Sequence, residues 1–154
     1  MAKEMISNEM KLQDIQQTIK IGQRALNSLY AAKSKLNDAE DWGVLDIFGG
    51  GLLSTYAKYS KIDSAALEIA AAKRDLQNFQ IRLRDVQTAY DMKVEIDSFL
   101  SFADFFLDGL IVDSIVQSKI SGAKHQIADA VFKVETMIKS LKAREEALKA
   151  DCDE

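Results

Sequence analysis

A chain of 154 residues, 29% charged and 47% apolar, has the length and composition of one folded domain. Its net charge of −4, with acids and bases mixed along the chain, argues against a nucleic-acid binder, which needs a basic stripe. A single cysteine, Cys152, excludes an intramolecular disulfide framework, and no uncharged apolar run of about 18 residues offers a membrane span.

Proline is absent. Because proline breaks helix interiors, its absence suits a mostly helical chain. The first element predicted is helix A, over residues 4–40. Met5, Leu12, Ile19, Leu26 and Lys33 recur every seven residues, and Asn8, Ile15, Gly22, Leu29 and Leu36 recur beside them. Gly22 reads as a close-contact point between helices. Residues 41–53 leave this pattern. They are apolar and contain Gly49-Gly50-Gly51, poor helix formers, so they are predicted to be a loop.

Helix B is predicted over 54–97. One row is Ile62, Ile69, Leu76, Leu83 and Tyr90; the other is Ala65, Ala72, Phe79, Val86 and Lys93. A kink near residue 60 is one reading of the apolar stripe, which rotates before Ile62. Residues 99–108 break the pattern again and read as a second apolar loop. Helix C is predicted over 109–149, on Ile120, Ile127, Val134, Leu141 and Leu148, with Ala123, Ala130 and Met137 behind and Val131 and Ile138 widening the face. The fold class expected is therefore all-α: an elongated antiparallel three-helix bundle or coiled coil with two apolar inter-helix loops.

The two loops look like copies. At an offset of 58 residues, Asp46 aligns with Asp104, Phe48 with Phe106, Gly51 with Gly109, Leu52 with Leu110, and Ser60-Lys61-Ile62 with Ser118-Lys119-Ile120. An up-down-up bundle would set these copies at opposite ends, roughly 60 Å apart at 1.5 Å per residue.

The candidate functional or capping residues fall in these copies: Trp42, Asp46, Phe48, Lys61, Phe102, Asp104, Phe105, Phe106 and Lys119. For the aspartates the plain reading is capping of loop N–H groups or an ion pair to Lys61 or Lys119; the sharper one is acid–base chemistry. For the aromatics the plain reading is that they plug the bundle ends; the sharper one is a partner or membrane surface. The three glycines lack the Gly-Lys-Ser/Thr and Gly-x-Gly-x-x-Gly patterns of phosphate loops. One histidine, His125, and one distant cysteine make no zinc set. No cofactor, metal site or catalytic group is expected.

Asp41-Trp42-Gly43, Asp46 and Gly49-Gly50-Gly51, followed by Ser60-Lys61 and Asp63, resemble a pattern in a bacterial family of uncharacterised coiled-coil proteins. In that family a second element, similar to Asp104-Phe105-Phe106-Leu107-Asp108-Gly109-Leu110, precedes the last helix. The resemblance covers residues 35–135 and brings no activity with it. The expectation is a non-enzymatic interaction or scaffold protein with an unidentified protein partner. Self-association stays open, because heptads do not tell intrachain from interchain partners. The alternative is a membrane-surface or envelope-associated protein using the apolar loops, and an enzyme is the last choice. No signal-peptide pattern marks the first residues, so a cytoplasmic location is expected.

Overall fold

The computed structural model describes the backbone at residues 2–49, 52–87, 92–109 and 117–153, and side chains at 8–38, 64–87, 92–108 and 122–151. The described residues are all-helical, in four helices rather than three: α1 (Ala2–Gly49), α2 (Leu52–Gln87), α3 (Lys93–Gly109) and α4 (Gln117–Asp153). No strand occurs among them.

Two predicted loops are corrected. Residues 41–49 belong to α1, which carries the backbone of Trp42, Asp46 and Phe48. That stretch has no proline, and its isolated Gly43 costs a helix only about 1 kcal/mol. The glycine triplet does separate two helices, since α1 ends at Gly49 and α2 begins at Leu52. Residues 99–108 are the body of α3. Here Met92, Ile96, Phe99, Leu100, Ala103 and Phe106 are buried, a helical spacing of three and four. Continuing the rows of helix B to residue 97 would have placed Lys93 and Asp97 in the core. Both are exposed, and the phase restarts after Gln87. Helix B thus ends ten residues early, and α2 is unbroken through residue 60.

Hydrogen bonds and ion pairs fix the directions of the helices. Ser28 donates to Asp75, and Arg82 Nη2 lies 3.2 Å from Asp14, so α1 and α2 are antiparallel. Gln87 donates to Asp97 and Gln80 to Asp104, so the chain reverses between residues 87 and 92 and α3 runs back along α2. α3 and α4 are antiparallel in turn, Val94 lying beside Ser140 and Phe106 beside Gln126. Among the described residues the backbone of α1 approaches α2 and α4, and that of α3 approaches the same two, so α1 and α3 stand across one diagonal and α2 and α4 across the other. Four helices therefore stand around one core. The second copy, predicted for one end of the bundle, lies on its flank instead: α2 gives way to α3 between 87 and 92, and Asp104 sits beside Gln80, seven residues before the end of α2.

Among the described residues the core uses the predicted rows of α2, as far as Val86, and of α4 almost without change; Ile62, Tyr90 and Ile120 lie outside the described side chains. α1 differs. Of the predicted row through Leu12, Ile19, Leu26 and Lys33, Ile19 is buried and Leu12 and Leu26 pack only partly buried against the core, while Thr18, Ala25 and Ala32 fill the positions beside it. Small residues there let two neighbours approach. Gly22 is the tightest point, where an added Cβ would stand 2.8 and 2.9 Å from Phe79 ring carbons and 3.1 Å from Ile138. Thr18 is fully buried, and its hydroxyl is satisfied by donating to the Asp14 carbonyl at 2.7 Å.

Candidate functional site

α3 is apolar on the side that meets the bundle and also on part of the side that does not. Its buried side holds a run of rings. Phe79 of α2 meets Phe99 edge-on at 5.3 Å between centroids; Phe99 meets Phe102 at 6.3 Å; Phe102 stacks on Phe106 at 5.9 Å. Such pairs add about 0.5–1.5 kcal/mol each beyond their burial, which anchors a helix of only 17 residues. Lys133 of α4 lies 5.9 Å above the Phe102 ring, within cation–π range.

Outside this anchor, three large apolar side chains face solvent: Val94 at 79%, Phe105 at 76% and Phe132 at 63%. They border the groove between α3 and α4. One cavity there, about 310 Å³, includes Val94, Glu95, Phe99, Phe132, Lys133 and Met137 in its lining. A second, about 290 Å³, is lined by Phe102, Phe105, Phe106, Gln126 and Asp129. The walls are apolar with a few polar groups at the rim, which suits the seating of another apolar surface. Phe132 holds its place on α4 as an ordinary helical residue whose carbonyl accepts from Thr136 Oγ1 at 2.8 Å.

A third cavity, about 330 Å³, lies between α1 and α2 and is lined by Ile21, Arg24, Asp75, Asn78, Ile81, Arg82 and Asp85. Two of its charged residues, Asp75 and Arg82, tie α2 to α1. Asp75 accepts from Ser28 and lies 3.7 Å from Arg74, while Arg82 reaches Asp14 and Gln17. Among the described residues no three His, Cys, Asp or Glu gather as a metal set, and no helix is long and apolar enough to cross a membrane.

The residues singled out in the sequence are brought together only in part. Phe102, Phe105 and Phe106 share one cavity, on the flank of the bundle rather than as plugs at its end. Asp104 is not a loop cap. It lies within α3, accepts from the buried Gln80 amide and pairs with Arg84 at 3.5 Å, clamping α3 to α2. The side chains of Trp42, Asp46, Phe48, Lys61 and Lys119 lie outside the described residues, although their backbones are helical. Sequence reasoning passed over Val94 and Phe132. The usable signal was an aromatic off both core rows of α4, which Phe132 is.

Tyr30 ties α1 to α4 by donating its hydroxyl to Glu135. That hydrogen bond, then burial and the carboxylate charge, push the phenol above the usual 10.0. Compared with known protein families, with curated proteins and with solved structures, the chain matches none.

Proposed function

We propose that this chain is a non-enzymatic interaction or scaffold protein. Its three long helices, α1, α2 and α4, form an elongated bundle, and the α3/α4 face meets a protein partner. The observation that carries this reading is the exposure of Val94, Phe105 and Phe132 around one groove. Contiguous exposed apolar surface marks interaction sites in soluble proteins. The membrane-surface reading is the alternative, but this face has no basic cluster to hold anionic headgroups: Glu95 and Asp129 mix there with Lys133 and Lys139.

The test is a photo-reactive phenylalanine analogue placed in vivo at 105 or 132, with Gln13 on α1 as the exposed control position. Polypeptide adducts at 105 and 132, and none at 13, are expected. Equal labelling at all three positions, or none at any, would count against the reading.

A further inference from the structure

We propose that the occupant of the α3/α4 face is a second copy of this chain, related by a two-fold axis that runs the paired helices antiparallel. This rests on the interaction reading above and goes further by naming the partner.

The first ground is the order of groups along the face. Phe105 lies at the end marked by Asp129, and Val94 at the end marked by Ser140, next to Lys139. Phe132 lies between them, and Asp129, Phe132 and Lys139 are all exposed. A two-fold axis across the middle turns one end of the face onto the other. Phe105 then meets the partner's Val94, and Asp129 meets the partner's Lys139. Phe132 falls near the axis, beside the partner's Thr136. Phe105–Val94 is apolar on apolar and Asp129–Lys139 is acid on base; the Thr136 hydroxyl near the axis is already satisfied by the Phe132 carbonyl of its own helix, and each pairing occurs twice, as an isologous interface requires. A parallel arrangement would lay α4 over the partner's α3, set Asp129 at the level of the partner's Phe105, and lose the match.

The second ground is the surface itself: Val94, Phe105 and Phe132 stand exposed along the α3/α4 groove, apolar side chains that an antiparallel copy would cover in pairs.

Sedimentation of the full chain under reducing conditions, which keep Cys152 from linking copies, tests the proposal. Twice the 17.2 kDa chain mass is expected. Phe132→Glu and Phe105→Glu change exposed positions, so circular dichroism should stay unchanged while the dissociation constant rises at least tenfold. Asp129→Lys alone and Lys139→Asp alone should each weaken the dimer, and the double variant should restore it. A wild-type monomer, a dimer indifferent to Phe132→Glu, or a double variant weaker than both singles would overturn the proposal. A monomer whose photo-reactive positions still capture other polypeptides would sink the dimer and spare the interaction reading.

Discussion

A methyl group at residue 22 has nowhere to go. It would press on a fully buried Phe79 ring that is itself packed on Phe99, so the ring cannot swing away cheaply. Overpacking of this kind costs about 1–3 kcal/mol. The helix propensity gained by replacing glycine returns about 0.5–1 kcal/mol. Gly22→Ala should therefore lower stability by about 1 kcal/mol or somewhat more, read as a shift of the urea midpoint at constant slope.

Asp104 and Gln80 offer a contrast in sign. Gln80 is 4% exposed and gives its amide to Asp104, whose own side chain is 59% exposed. Asp104→Ala strands a buried donor and should cost about 1–3 kcal/mol. Gln80→Leu leaves a carboxylate that water can solvate, and should cost less. Equal losses in urea melts would contradict the clamp. The Arg84–Asp104 pair is more than half exposed on both sides, so Arg84→Ala should change stability by under about 1 kcal/mol.

Tyr30 sets an alkaline limit on one tie between helices. Its phenol pKa is raised in the fold, so the neutral form is the one favoured. The contribution of the Tyr30–Glu135 bond is whole below pH 10 and fades as pH climbs through the raised value. Tyrosinate absorbance should show a late-titrating phenol that is absent in Tyr30→Phe. In Glu135→Gln that phenol should return toward 10.0.

At the level of elements, α3 is where sequence and structure part. Proline at an exposed mid-helix position separates the two assignments, because a loop tolerates it and a helix interior loses ~3 kcal/mol or more. Ser101→Pro should therefore destabilise strongly and reduce ellipticity, whereas Ser101→Ala should not. The long rows of α2 and α4 were legible because five turns or more of constant phase leave little alternative. Residues 99–108 were not, since their phase was judged against helix B, and Thr88-Ala89-Tyr90-Asp91 contains neither glycine nor proline to announce a reversal. The same error hid the candidate site. Phe102, Phe105 and Phe106 were visible as an aromatic cluster. Their division into anchor and exposed edge needed α3 to be a helix packed on α4. Phe132 and Val94 became visible only once that groove existed.

For the whole molecule, the consequence is that the chain turns back at 87–92 and places α3 alongside α2. Gln80 holds Asp104 and Gln87 holds Asp97, so one turn before Gln80 lies beside one turn after Asp104. Residues 77 and 108 should therefore be neighbours across two packed helices. Axes about 8–10 Å apart leave spin labels at these sites within about 20 Å of each other. A single helix B reaching residue 97 would instead put 77 and 97 roughly 30 Å apart, with 108 near the far end. Pulsed dipolar spectroscopy on Gln77→Cys/Asp108→Cys, in a Cys152→Ser background, decides between them. Both labelled positions are exposed, so the substitutions should leave the fold intact. Dilution with unlabelled chain removes distances between copies of a dimer. A distribution centred near 30 Å or beyond would return residues 99–108 to a connection at the bundle end, and the α3/α4 groove would go with it.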